Sequence, residues 1–205
     1  RTDSSRSFFS LRKEIKPMAL FVIGDTHLSL SVDKPMDIFG GWKNYMQRLE
    51  QNWRSVVGEQ DTVVIPGDVS WGMSLEQAKA DFAFLHALPG KKILMKGNHD
   101  YWWTTKSKMD RFLEECGFDT LTILHNNAIS AEGVSLCGSR GWMFEQGQEH
   151  DKKLIAREAG RIRASLQDAA RFGEQEKILF LHYPPIFMQD SIPEFFEVMQ
   201  EYGVR

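Results

Sequence analysis

Phe21-Val22-Ile23-Gly24-Asp25-Thr26-His27 is a short apolar run that ends in a turn and delivers a carboxylate and an imidazole two residues apart. The same grammar returns three times. Thr62-Val63-Val64-Ile65-Pro66-Gly67 leads into Asp68, Ile93-Leu94-Met95-Lys96-Gly97 into Asn98-His99-Asp100, and Ile178-Leu179-Phe180-Leu181 into His182. Each run reads as a buried strand, and the carboxyl ends of parallel strands in an α/β fold face one crevice. Ligands far apart in sequence are therefore expected to meet at that edge.

Between these runs the pattern changes to helical spacing. Met46, Leu49, Trp53, Val56 and Val57 mark one helix face before Gly58. Ser74 with Gln77 three residues later is a capping-box start, and Leu75, Ala78, Phe82 and Leu85 follow before Pro89-Gly90 stops the helix. Asp68 and Asn98 are thus one βαβ unit apart and belong on neighbouring strand ends. A third helix is expected from Thr105 to Cys116, with Met109, Phe112 and Leu113 inward. Leu121–Leu124 and Val134–Cys137 look like antiparallel β structure. A long helix from Asp151 to Phe172, inward at Leu154, Ile162, Leu166 and Ala169, precedes the strand ending in His182, and Pro193 opens a last helix through Tyr202.

The chemistry of the stops suits a metal. In extended backbone Asp25 and His27 point the same way and can bind one ion. Gly67 lets the chain turn sharply before Asp68, whose two oxygens can bridge two cations. Asn98 offers a neutral amide oxygen, suited to a mixed nitrogen and oxygen site. His99 diverges from Asn98 and is left for proton or phosphate chemistry. Taken singly, an Asp-x-His triplet is an ordinary capped turn and a strand-end histidine an ordinary hydrogen-bonded residue; four in order point to one site. His86, His125 and His150 lack companion ligands and read as structural.

In that order the blocks Gly24-Asp25-Thr26-His27, Gly67-Asp68, Gly97-Asn98-His99-Asp100 and His182 resemble the calcineurin-like metallophosphoesterases from about Met18 onward. The resemblance implies an α/β fold of two packed mixed β-sheets flanked by helices. It implies two divalent metal ions, manganese, iron or zinc, with Asp25 and His27 on the first, Asp68 bridging, and Asn98 and His182 on the second. His99 would be the non-ligand catalytic residue, Asp100 would orient it or its loop, and a hydroxide bridging the ions would attack phosphorus. A phosphate mono- or diester would be the substrate, with Asn98 and Arg140 as groups that bind it. The alternative is a non-catalytic scaffold on the same fold, and the Asn98-His99 pair argues against it.

Two departures qualify the match. The family's final Gly-His-x-His block is absent where the chain stops at Gly203-Val204-Arg205, so a domain over 18–205 incomplete at its C-terminus is expected, preceded by a leader or upstream extension, disordered, over 1–17. The Gly-Asp-x-x-Asp-Arg extension of phosphoprotein phosphatases is also missing, since Val69-Ser70-Trp71-Gly72 follows Asp68. Small phosphoesters fit better than phosphoproteins.

Aromatic residues crowd the same loops, at Trp71, Tyr101, Trp102, Trp103, Trp142 and Tyr183. They read equally as a wall for a nucleotide-like base or as packing that excludes water. Arg140 reads as a phosphate clamp, with a surface salt bridge as the plainer reading.

Composition bounds the partners. Lys plus Arg number 25 against 28 Asp plus Glu, a net charge of −3, which gives no general grip on nucleic acid. The 205 residues, 42% hydrophobic, suffice for one sizeable core. Two unpaired cysteines and no apolar run of membrane-spanning length lead to the expectation of a cytoplasmic protein without membrane contact.

Overall fold

Strands β1 (Leu20–Val22), β2 (Thr62–Ile65), β3 (Lys91–Leu94) and β4 (Leu121–Ile123) form one sheet in that order, every neighbouring pair parallel. The computed structural model describes residues 18–142, 151–173, 176–187 and 190–204; the leader expected over 1–17 and His150 lie outside them. Helices α1 (Tyr45–Val56), α2 (Leu75–His86) and α3 (Lys106–Glu115) are the crossovers between these strands. A second sheet has the order β5 (Ala128–Ala131), β6 (Val134–Ser139), β7 (Lys177–Leu181). It is mixed, with β5–β6 antiparallel and β6–β7 parallel. Helices α4 (Asp151–Asp168) and α5 (Pro193–Glu201) cover it, and a ribbon of β8 (Ile186–Phe187) and β9 (Asp190–Ser191) precedes α5.

Strand periodicity explains the layers. In β2, Val63 and Ile65 pack with the helices α1–α3 while Val64 points to the second sheet. In β3, Leu94 joins the helix side and Ile93 the sheet side, as does Met95 just beyond the strand. Leu136 and Phe180 meet them from β6 and β7, and Cys137 and Leu179 face α4 and α5 instead. The result is helix, sheet, sheet, helix, with apolar side chains in all three seams. Each fully buried Ile, Leu or Phe contributes roughly 1.5–3 kcal/mol, and burial on both faces explains the unbroken apolar run of β2.

Helix starts follow the sequence. Ser74 Oγ accepts the amide of Gln77 at 3.3 Å, while Gln77 Oε1 accepts that of Met73 at 2.9 Å. Pro193 opens α5. Met109, Phe112 and Leu113 are buried on α3. On α4 the inward residue of the first turns is Ile155 rather than Leu154, and the end of the expected helix, Ala169–Phe172, tightens into a 3₁₀ turn. Val56, expected inward, is exposed. It hangs with Val22 over the open side of edge strand β1, where the sheet beneath α1 runs out.

One pairing differs from expectation. Leu121–Ile123 does not pair with Val134–Ser139; it continues the first sheet parallel to β3, and the antiparallel partner of β6 is Ala128–Ala131. The chain changes sheets at His125-Asn126-Asn127, with Asn126 left-handed at φ 59°. A tight turn at Glu132-Gly133, φ 53° and 76°, then closes the hairpin, as two-residue hairpin loops of this hand require.

Candidate metal centre

The first three ligand blocks stand at the carboxyl ends of β1, β2 and β3, and the fourth reaches the same place from β7 in the other sheet. Beyond the strands, residues 25–28 and 67–71 continue side by side. Asp25 N donates to Gly67 O at 3.2 Å, His27 N to Asp68 O at 2.9 Å, and Leu28 N to Val69 O at 3.0 Å. Tyr45 Oη donates to the His27 carbonyl at 2.9 Å.

Asp25, His27 and Asp68 are not in extended backbone. Their φ values are 56°, 44° and 52°, the left-handed region that a side chain disfavours. Asp25 and His27 still share one face, but through two left-handed steps rather than strand alternation. Strain of this kind, held by the flanking hydrogen bonds, concentrates at functional sites.

Ligand atoms of Asp25, His27 and Asp68 all lie within 4.8 Å of one another. His27 Nε2 is 3.6 Å from Asp25 Oδ1 and 3.6 Å from Asp68 Oδ2. These gaps are too long for hydrogen bonds. They match the span of about 3.4–3.6 Å between two ligands each about 2.1 Å from one ion at tetrahedral to trigonal angles. On the other side, Asp68 Oδ1 is 3.7 Å from His182 Nε2, and His182 Nε2 is 2.7 Å from Asn98 Oδ1. One carboxylate thus presents an oxygen to each imidazole.

The donor set fits cations. His182 Nδ1 lies 3.1 Å from the Pro66 carbonyl and donates to it, so in the neutral ring Nε2 carries only a lone pair. That lone pair faces Asn98 Oδ1 and Asp68 Oδ1. Either Asn98 turns its amide nitrogen inward or a cation stands among the three, and carboxylate, amide and imidazole suit a mixed nitrogen and oxygen site. Burial pushes the His27 pKa down against the pull of Asp68 and Asp25, which favours the neutral, metal-binding ring. Asp68 is buried, whereas the Asp25 side chain is 60% exposed, so the cluster opens to solvent on the Asp25 side.

His99 stands beside the cluster without joining it. Its ring is 5.7 Å from that of His27 and 4.7 Å from that of Trp71, and its amide donates to Asp68 Oδ1 at 2.8 Å. Its Nδ1 is buried and has no partner among the described residues.

Asp100 lies beneath the loops, 2% exposed. Its oxygens accept the amides of Asp68, Val69, Ser70 and Gly97 and the Trp102 indole, and burial raises its pKa to about 6. Such a carboxylate fastens two loops together; it is a positioning residue, not one that faces the crevice as a catalytic group does.

The aromatic loops divide. Trp71 stacks on His27 with centroids 5.0 Å apart and donates to Met36 Sδ, and Trp102 is buried. Both are packing residues, while Tyr101 is exposed beside His99. Arg140 sits in an adjoining cavity, its guanidinium 5.1 Å from the Trp142 ring, with no ion pair among the described residues. Cys137 is buried and its thiol pKa is pushed up to about 11 by that burial.

Sequence reasoning passed over Asp81. This fully buried carboxylate on α2 accepts Leu30 N at 2.8 Å and Ser70 Oγ at 2.5 Å, bracing the loops that follow His27 and Asp68. The signal was present, since an acid sits inside the apolar stripe of Ala78, Phe82 and Leu85.

The chain is similar to several known proteins. The Gene 66 protein of Mycobacterium phage L5 is 46% identical over 52 residues, a quarter of this chain and a quarter of that protein. A structure of a protein of unknown function from Aquifex aeolicus overlays with TM-score 0.41 at 20% identity, covering 80% of this chain and 90% of that one. The phosphopantetheinyl hydrolase of Mycobacterium tuberculosis overlays with TM-score 0.48 at 15% identity, covering 91% and 80%. Among the described residues no helix is long and apolar enough to cross a membrane. Residues 18–204 match the family described as calcineurin-like phosphoesterase. With its ordered ligand blocks gathered at one edge of two stacked sheets, the chain belongs to that family.

Proposed function

We propose that this protein hydrolyses a phosphate ester at a dinuclear metal centre, with Asp25, His27 and Asp68 holding one divalent ion and Asp68, Asn98 and His182 the other. The observation that carries this reading is the division of Asp68: Oδ2 toward His27 at 3.6 Å, Oδ1 toward His182 at 3.7 Å. Two such ions, when bound, polarise the phosphoryl group and make a water nucleophilic near neutral pH.

The chain's own groups do the rest. Asp68 and His99 N are tied together, so the ring of His99 is held at a fixed position beside the ligands. A protonated His99 delivers its proton to the leaving oxygen. Asn98 contributes its amide to substrate as well as to metal. Trp71, packed on His27 and His99, keeps water from that flank of the imidazoles. The Asp25 side stays open for the ester to enter.

The test is manganese-dependent hydrolysis of aryl phosphate mono- and diesters by the full-length protein. Asp68→Asn is expected to lose both metal and turnover. His99→Ala is expected to keep metal while turnover falls by about 10²-fold or more. Unchanged hydrolysis in both variants overturns the reading.

A further inference from the structure

Beside the ligand cluster lies a cavity of about 240 Å³ whose charge is opposite to that of the chain as a whole. Lys96, Arg140, Arg157 and Arg161 line it with His125, against a single carboxylate, Glu158. That carboxylate is already occupied: its Oε1 accepts from Ser139 Oγ and from Gly141 N at 3.0 Å, and its Oε2 accepts from Arg161 at 2.8 Å. It is 1% exposed and braces the turn that carries Arg140. Among the described residues no carboxylate pairs with Lys96, Arg140 or Arg157. Arg140 Nε is a buried donor without a partner among the described residues, an unfavourable state unless something accepts from it.

The cavity shares a wall with the metal centre. Lys96 leads directly into Gly97-Asn98, and the Arg140 carbonyl accepts from His182 N at 3.1 Å and Tyr183 N at 2.9 Å. A group held there would be one strand end away from the ligands. Burial and the charges of Arg161 and Lys96 push the His125 pKa down, in keeping with a positive potential. Guanidinium forks converging on a small cavity suit a tetrahedral oxyanion, and a dianion neutralises more of this charge than a carboxylate does.

We propose that this cavity is a subsite for a second phosphate group on the substrate, separate from the one that is cleaved. The inference rests on the phosphoesterase reading for its use but not for its binding chemistry. The substrate class is then a small molecule with two phosphoryl groups, one presented to the Asp68 centre and the other held by Arg140, Arg157, Arg161 and Lys96.

Calorimetry on the full-length protein, stripped of metal and kept in chelator, tests it with inorganic phosphate as the probe and acetate at equal ionic strength as the control. Saturable phosphate binding is expected, weakened about fivefold or more in Arg157→Gln and in Lys96→Gln, with acetate binding far more weakly. Arg157 is exposed on α4, so its variant should fold normally. Asp68→Asn is expected to retain phosphate binding. That separates the two ideas: binding without metal-dependent hydrolysis leaves the subsite standing and removes the phosphoesterase reading, and the reverse removes the subsite. No phosphate binding, binding untouched in both variants, or acetate binding equal to phosphate overturns the proposal.

Discussion

Asp100 Oδ2 accepts the backbone amide of Asp68 at 2.8 Å and that of Gly97 at 2.7 Å, so one buried carboxylate locks the loop of Asp68 to the loop that carries Asn98 and His99. The other oxygen takes Val69 N, Ser70 N and the Trp102 indole. An amide cannot replace it, having one acceptor oxygen and an NH₂ that would face donors. Asp100→Asn is therefore expected to lower unfolding free energy by about 3 kcal/mol. Denaturant titration checks the stability, and metal analysis should show weakened binding although no ligand was changed.

The close approach of these loops makes a second, sharper prediction. A β-carbon on Gly97 would lie 2.0 Å from Asp68 Oδ1 and 2.3 Å from Asp68 N, whereas one on Gly24 would meet nothing nearer than Pro66 Cγ at 3.6 Å. Gly97→Ala must push the Asp68 carboxylate aside. It should abolish metal binding and cost more than about 3 kcal/mol, while Gly24→Ala stays within about 1 kcal/mol of the parent. Equal behaviour of the two variants in calorimetric melting and metal titration would contradict the packing described above.

Lys92 supplies a prediction about pH. It is fully buried in β3, and its ammonium donates to the carbonyls of Leu88 at 2.6 Å and Gly90 at 2.7 Å, just past the end of α2. Burial pushes its pKa down to about 8, with Glu59 and Asp119 pulling the other way. A lysine in the unfolded chain titrates near 10.4. Between those values the unfolded chain holds a proton that the folded chain has released, so stability rises with pH across the window. Relative to Lys92→Met, the parent should gain stability from pH 8 to pH 10, by at most about 3 kcal/mol. A flat difference across that range would show that the carbonyls hold the ammonium charged.

The blocks were legible in sequence because each is local: an apolar strand, a turn that in the first three carries glycine, then a carboxylate, amide or imidazole side chain. Their order carried the family and with it the two-sheet architecture. What was not legible depended on contacts across the fold. Whether Leu121–Ile123 joins β3 or β6 is decided by which sheet has an open edge, which no local pattern encodes. The left-handed backbone at Asp25, His27 and Asp68 gives no residue signal, since none is glycine. Asp81 could have been found as an acid in an apolar stripe, but its partners Ser70 and Leu30 come from loops that only the folded chain brings together.

The exposed and buried carboxylates of the candidate centre separate metal binding from folding. Asp25 is solvent-facing, and asparagine tolerates its left-handed backbone, so Asp25→Asn should leave the metal-free melting temperature unchanged. Metal binding is a different matter, because the substitution removes a charged ligand from a cluster whose atoms lie within 4.8 Å. Any ion that binds the folded chain alone stabilises it, by about 2.7 kcal/mol at a hundred times the dissociation constant. For a chain of this size that corresponds to a rise of about 5–10 °C. Manganese should therefore raise the melting temperature of the parent, chelator should reverse the rise, and Asp25→Asn should show a smaller one at equal manganese. Parent and variant rising together would place the bound ion elsewhere and remove Asp25 from the ligand set.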